Sequence, residues 1–257
     1  MASADFKAEL DARKADLEGL SGFEASQALV QGSYYRAAAE FYRLAGPRKD
    51  FYQNALMFLA YTPMDELTSQ QKVQWAKDVS IAAIVGEGVY NFGDVLANSI
   101  LSVLKGTDDE WLLQMLEAFN HGDQGSFAKI VSEKEGPILA ADEALSSAAV
   151  RQKLSLLCVI GVIFNTPADQ RTISFADIAK ATALSIDEVE LVLMKSISLG
   201  LIKGVIDQVS QNVIATWVRP RVLDNVQLES LRGRMEEWQG KVGQTLHYVQ
   251  DQTPDMF

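Results

Sequence analysis

The fold of this 257-residue chain is decided by residues 185–218, which read SIDEVELVLMKSISLGLIKGVIDQVSQNVIATWV. Ser185 followed by Glu188 is the pattern of a capping box, so a helix is predicted to begin here. Gly200 is predicted to end that helix, because glycine is favoured just beyond a helix C-terminus. The two β-rich runs that follow, 201–206 and 213–218, predict a hairpin with a six-residue loop.

The residues before this stretch supply the other helices of the same domain. An apolar helix is predicted from about residue 149 to Asn165-Thr166-Pro167, where proline ends it. A short helix over residues 176–182 follows. Because helix, short helix, helix and two-stranded hairpin is the order of elements in a winged helix, we predict a winged-helix domain over residues 149–223.

Residues 1–148 are predicted to contain helices only, in the manner of TPR-like helical repeats. Apolar residues recur at the helical period from Tyr34 to Ala45, and Gly46-Pro47 stops this helix before the next one begins near Phe51. Two antiparallel helices that pack through small residues form the hairpin of a repeat. Further helices are predicted over residues 69–85, 94–104, 109–120 and 124–134.

The last segment, residues 224–257, is predicted to contain one long helix over residues 224–250. Apolar residues are spaced alternately three and four apart, which is an unbroken heptad seam. The seam residues are Leu228, Leu231, Met235, Trp238, Val242, Thr245 and Val249. Gly233, Gly240 and Gly243 each weaken the helix by about 1 kcal/mol relative to alanine. A narrow seam on a weak helix indicates that this helix packs against other helices.

We therefore predict a partner interface with two parts, the terminal seam and the hairpin. A two-stranded wing has an edge that can pair with a neighbouring chain, and tryptophan is enriched at interfaces. The predicted interface residues are Leu228, Leu231, Met235, Trp238, Val242 and Val249 of the seam and Val213, Ala215 and Trp217 of the hairpin.

The charge of the chain speaks against a nucleic-acid or anionic-membrane surface. The net charge is -11, and residues 1–148 carry -10 of it. In a winged helix, the helix from Ser185 would read the major groove. It carries Asp187, Glu188 and Glu190 against a single Lys195, and these carboxylates would face phosphates. Nucleic-acid binding is therefore kept only as a disfavoured alternative.

Few residues are available for catalysis or for a metal site. The chain has one cysteine, Cys158, and two histidines, His121 and His247. The glycine-rich segment GEGVYNFG, residues 86–93, lacks the third glycine and the preceding strand of a dinucleotide loop, and a turn between helices explains it better. We predict no enzymatic activity, cofactor, metal or small-molecule substrate.

We also predict no membrane or targeting segment. The longest apolar runs, such as residues 154–164, are about ten residues long, whereas a bilayer needs roughly 20. The first ten residues are polar and amphipathic, without the apolar run of a signal peptide. We expect a soluble intracellular protein.

Helical repeats that run into a winged helix and then a long terminal helix resemble the PCI proteins of the proteasome lid, the COP9 signalosome and a translation initiation factor. Within this class, several blocks look like the non-ATPase regulatory subunit 13 family of the 26S proteasome. They are YQNALMFL at 52–59, GEGVYNFG at 86–93, EVELVLMK at 188–195, GLIKG at 200–204 and TWVRPRVLD at 216–224. That family carries a longer N-terminal arm, so this chain is expected to begin part-way into it.

The resemblance implies a structural role in the lid, without catalysis. In such subunits the winged helices pack into an arc and the terminal helices gather into a bundle. The implied partners are other PCI subunits and the deubiquitinase module of the lid, with a ubiquitin receptor as a further candidate. The implied location is cytoplasmic and nuclear. The alternative is a PCI subunit of the COP9 signalosome or of a translation initiation factor.

Overall fold

The computed structural model describes residues 7–10, 12–13, 25–167, 171–220 and 225–252. The chain divides into two compact units, Met1–Pro220 and Arg221–Phe257. The helical repeats and the winged helix belong to the first unit, and the terminal helix belongs to the second. Most of the first ten residues, which were predicted to be polar and amphipathic, lie outside the described residues. Asp224, where the terminal helix was predicted to begin, also lies outside them.

The first part of the larger unit is helical, and its described residues before Ala148 contain no strand. Its elements are α1 (Ala25–Ala45), α2 (Arg48–Tyr61), α3 (Ser69–Val85), α4 (Gly93–Leu96), a 3-10 turn (Ser99–Leu104), α5 (Glu110–His121), α6 (Gln124–Glu133), α7 (Glu135–Ala141) and a second 3-10 turn (Glu143–Ser146). Here α3 has the bounds that its sequence pattern predicts. The single helix predicted over 94–104 is divided in two, because Asn98 is extended and caps a new turn at Ile100.

One long helix, α8 (Ala148–Asn165), takes part in both hydrophobic cores of this unit. Val150, Leu154 and Leu157 pack with the helical repeats, whereas the next turns, with Val159, Ile160 and Ile163 as their buried residues, pack with the winged helix. The helix that starts at the predicted boundary between repeats and winged helix therefore belongs to both.

Among the described helices, α8 is also the one that is long and apolar enough to cross a membrane. A helix buried in the hydrophobic core of a soluble protein can have the same length and apolar composition as a membrane-spanning helix. More than half of its apolar window is buried inside the fold, which is the position of a core helix.

The winged helix contains one more strand than the sequence indicates. Its elements are β1 (Thr172–Ser174), α9 (Phe175–Thr182), α10 (Ile186–Ser198), β2 (Ile202–Asp207) and β3 (Asn212–Val218). The predicted hairpin and the capping box at Ser185 are confirmed, but the loop has four residues, 208–211, and not six, because Asp207 and Asn212 pair at the ends of the strands. The three-residue β1 pairs with β3, so the antiparallel sheet has the order β1-β3-β2 and β3 lies at its centre.

A bulge in the hairpin decides which side chains face outward. Lys203 pairs with Trp217 and Gly204 pairs with Ala215, so Thr216 is the extra residue. The hydroxyl of Thr216 donates to the carbonyl of Lys203 at 3.1 Å. A Cβ on Gly204 would collide with the backbone carbonyl oxygen of Ile214. The bulge therefore depends on a glycine at this position.

A buried lysine of α8 ties this helix to the end of α3. The ammonium of Lys153 donates to the carbonyl oxygens of Ala83, Ile84 and Gly86 at 2.7, 3.0 and 2.9 Å. These are carbonyls that a helix C-terminus leaves without intrahelical partners, and the negative end of the helix dipole favours a cation there. The ammonium also lies 5.1 Å from the centre of the Phe92 ring.

We predict that Gly204→Ala destabilises the larger unit by about 2 kcal/mol, because the new Cβ forces the bulge to shift. The check is urea unfolding followed by circular dichroism. Val205→Ala on the same strand is the control, since the Val205 side chain is exposed and its truncation should cost only about 0.5 kcal/mol. Equal losses for the two variants would show that the bulge does not need glycine.

A second prediction concerns pH. Burial lowers the pKa of Lys153 from 10.5 to about 7 and so outweighs the three carbonyl oxygens that favour its charged form. Between these pH values the unfolded chain therefore holds a proton that the folded chain has released. The free energy of unfolding should therefore rise with pH from about 7 to 10, relative to a Lys153→Met variant that lacks this group.

Urea unfolding of wild type and Lys153→Met at several pH values measures this difference. Lys129→Met, which removes an exposed lysine of α6, is the control. Its free energy of unfolding should change with pH in the same way as that of wild type. If the free energy of unfolding changed with pH equally in wild type and Lys153→Met, the prediction would be contradicted.

Candidate interaction surfaces

The described residues of the terminal unit form one helix, α11 (Asn225–Gln252), and the predicted seam residues lie along one side of it. Its 28 residues span about 42 Å at 1.5 Å per residue. The stripe is defined here by the six predicted seam residues Leu228, Leu231, Met235, Trp238, Val242 and Val249. Trp238 is 65% exposed and Met235 is 57% exposed, and Leu231 is partly buried. A single helix cannot bury a stripe on itself, so the stripe needs an apolar neighbour.

Two apolar residues beside the stripe were missed by the sequence reasoning. Leu246 and Tyr248 flank its C-terminal end and are 47% and 66% exposed. They occupy the e and g positions of the heptad in which Val242 is at a, and the strict three-four spacing does not include those positions. An apolar e or g residue widens a seam, so the C-terminal end of the stripe offers more contact area than its start.

The three glycines of α11 lie on the side away from the stripe, at heptad positions b and f. A Cβ on Gly233, Gly240 or Gly243 would meet nothing within 4 Å. These glycines are therefore not required by packing among the described residues.

The hairpin presents a small apolar patch on the outer face of the sheet. Val205 and Ile214 are cross-strand partners and are 64% and 45% exposed. Beside them, Trp217 is exposed, and the Lys203 ammonium lies 5.1 Å from the centre of its ring. We call Val205, Ile214 and Trp217 the wing patch.

The structure corrects the predicted interface at two residues of this hairpin. Val213 and Ala215 are buried in the core of their own domain, so neither side chain can reach a partner. Simple alternation along β3 would put Trp217 on their face. The extra residue Thr216 shifts the alternation, so Trp217 faces outward beside Ile214.

The helix that would read DNA in a nucleic-acid-binding winged helix has an apolar and acidic surface here. Leu191 and Met194 of α10 are 65% and 53% exposed. At its N-terminus the Glu188 carboxylate accepts from the backbone and hydroxyl of Ser185, and these hydrogen bonds lower the pKa of Glu188. A carboxylate held ionised at this end of the helix repels phosphate.

The glycine-rich segment 86–93 is packed into the repeats rather than opened around a ligand. Val89 and Phe92 are buried in the core of the helical repeats. The carbonyl of Gly86 accepts from Lys153, and the Tyr52 hydroxyl donates to the carbonyl of Asn91 at 3.4 Å. This segment is a turn that joins α3 to α4, as the sequence predicts.

The side chains that could serve catalysis or bind a metal do not form a common site among the described residues. The Cys158 thiol is buried, and burial raises its pKa. It donates to the carbonyl of Ala181 at 3.6 Å. Within the residues that the structure describes, no three side chains of histidine, cysteine, aspartate or glutamate form a group that could hold a metal ion.

Comparison with known proteins finds two family domains in the chain. PSD13 N-terminal repeats match residues 2–116, and a PCI domain matches residues 139–217. The first match covers the helical repeats up to α5. The second begins within α7 and covers α8 and the winged helix up to Trp217 in β3.

Curated relatives match almost the whole chain. It is 39% identical to 26S proteasome non-ATPase regulatory subunit 13 of Dictyostelium discoideum over 98% of its own length and 65% of the relative. It is 38% identical to 26S proteasome non-ATPase regulatory subunit 13 homolog A of Arabidopsis thaliana, over 96% of its own length and 64% of that relative. The chain thus spans somewhat less than two thirds of these relatives.

A more distant relative lies outside the proteasome. The chain is 23% identical to eukaryotic translation initiation factor 3 subunit M of Phaeosphaeria nodorum, over 84% of its own length and 48% of the relative. The chain therefore matches PSD13 N-terminal repeats followed by a PCI domain, and it is similar to relatives that are named as 26S proteasome non-ATPase regulatory subunit 13.

Proposed function

We propose that the chain is a non-catalytic structural subunit of the 26S proteasome regulatory particle lid. It would act as a PCI scaffold in lid assembly and so in ubiquitin-dependent protein degradation. The observation that carries this proposal is the 39% identity to 26S proteasome non-ATPase regulatory subunit 13 of Dictyostelium discoideum over 98% of the chain. That its relatives are named regulatory subunits supports a role without catalysis.

Two surfaces of the structure support a scaffold. The stripe of α11 and the wing patch are exposed apolar surfaces on separate elements. Large contiguous apolar patches are rare on the surface of monomeric proteins, and where they occur they often mark a contact with another protein. Two such surfaces would let one chain contact more than one neighbour.

The proposed partners are other PCI subunits of the lid and its deubiquitinase module, with a ubiquitin receptor as a further candidate. The proposed location, cytoplasm and nucleus, is that of the proteasome itself. No contact with nucleic acid is proposed, because exposed leucine and methionine beside carboxylates on α10 suit a protein neighbour better than phosphates.

We expect the double variant Leu231→Asp and Trp238→Asp to fold but to fail to enter a reconstituted lid. Two carboxylates would then have to be desolvated in the apolar contact, which costs several kcal/mol. Native gels of the reconstituted lid measure incorporation, and circular dichroism measures folding.

Ser230→Asp with Gln244→Asp is the matched control for this variant. It adds the same charge to the same helix at heptad position c, off the stripe, and both residues are exposed. It should assemble like wild type. Normal assembly of the variant with both stripe substitutions would refute the stripe as an interface.

The second candidate is a PCI subunit of a translation initiation factor, which the relative in Phaeosphaeria nodorum favours. Affinity purification of the tagged full chain from cell extract, followed by mass spectrometry, separates the two. We expect lid subunits to co-purify in near-stoichiometric amounts. Recovery of initiation factor subunits in their place would move the assignment to the second candidate.

A further inference from the structure

The charges of α11 are sorted relative to its stripe. The e and g positions of the heptads, which flank the stripe on its two sides, contain three cations and no carboxylate. These positions are Arg232, Gln239 and Leu246 on one side and Gln227, Arg234, Lys241 and Tyr248 on the other. The carboxylates of the helix, at Glu229, Glu236, Glu237 and Asp251, all lie at b or c, on the far side.

The cations differ in how far the helix itself neutralises them. Arg232 pairs with Glu229 at 3.3 Å and with Glu236 at 3.2 Å. Arg234 and Lys241 are exposed, and neither forms an ion pair within the described part of the chain. These two side chains therefore present positive charge along one edge of the stripe without an ion pair of their own, with Glu237 as the carboxylate nearest to both along the helix.

We propose that the stripe of α11 binds a partner helix whose own apolar seam is flanked by carboxylates. This inference rests on the proposed function, since it names the chemistry of the helix that would cover the stripe in an assembly. In paired helices the e and g side chains of one face those of the other across the rim of the apolar contact, and opposite charges there select the partner.

The same arrangement disfavours a second copy of this chain as the occupant. Two α11 helices paired through their stripes would bring cations to both rims of the contact, with no carboxylate at e or g to compensate. Like charges at such positions are destabilising and act against self-pairing. An acidic partner helix removes this penalty.

Selection by charge belongs to the N-terminal two heptads of the stripe. Beyond Val242 the flanking positions are Leu246 and Tyr248, which are neutral and exposed. The partner is therefore expected to complement the charge of the N-terminal part of α11 and to cover the apolar surface of its C-terminal part.

The test uses the full chain and two synthetic 28-residue helical peptides as probes. Both have leucine at every a and d position, and one has glutamate and the other lysine at every e and g position. Each peptide repels itself, so neither dimerises strongly. At about 50 mM salt, fluorescence anisotropy should show binding of the glutamate peptide about tenfold tighter than the lysine peptide. The ratio should fall several-fold at about 500 mM salt.

The charge-reversed chain Arg234→Glu with Lys241→Glu should invert this preference. Lys180→Glu with Lys195→Glu makes the same change in net charge at exposed lysines of the winged helix, and it should keep the wild-type preference. Equal binding of both peptides by wild type, no binding of either, or an unchanged preference after reversal at Arg234 and Lys241 would each overturn the inference.

Lid reconstitution with the same proteins separates this inference from the proposed function. If wild type selects the glutamate peptide but does not enter the lid, the proposed function fails and the charge selection stands. If wild type and the reversed chain enter equally and no peptide preference exists, the inference fails and the proposed function stands.

Discussion

The larger unit depends on a single constraint, which is that α8 must satisfy two cores at once. Its first turns bury Val150, Leu154 and Leu157 among the repeats, and its last turns bury Val159 and Ile163 in the winged helix. The Lys153 ammonium fixes the position of the first turns, because its three hydrogen bonds go to the C-terminal end of α3. A helix held in this way transmits the placement of the repeats directly to the winged helix, since close-packed interiors shift little.

Much of this architecture can be predicted from the sequence, because its signals are local. The capping box at Ser185, the break at Gly46-Pro47 and the heptad spacing of α11 each depend on residues within a few positions of one another. The features that escape prediction are non-local or very short. β1 has three residues, and only its pairing with β3 makes it a strand. Lys153 looks like an ordinary helical lysine until the fold brings the carbonyls of residues 83–86 to it.

The interface prediction failed at Val213 and Ala215 because it grouped them with Trp217, whereas the bulge puts Trp217 on the opposite face. A strand alternates faces at every residue, so one extra residue reverses the face of all that follow. The bulge at Thr216 arises from two strands together, through the pairing of Gly204 with Ala215 and the hydrogen bond from Thr216 to Lys203. Gly204 is the local signal that could have indicated it, because an interior strand glycine often marks a bulge.

The two exposed apolar surfaces differ in what they can specify. The wing patch is short, and the charged group of Lys203 beside it already lies against Trp217. It therefore offers area and shape, with little charge to discriminate among neighbours. The stripe of α11 is long and has cations along its edges, so it can reject a helix of the wrong charge as well as accept one of the right charge. Because the stripe and the wing patch occupy separate elements, a subunit of this kind can combine a permissive contact with a selective one, and the selective contact is then the one that sets its place among similar subunits.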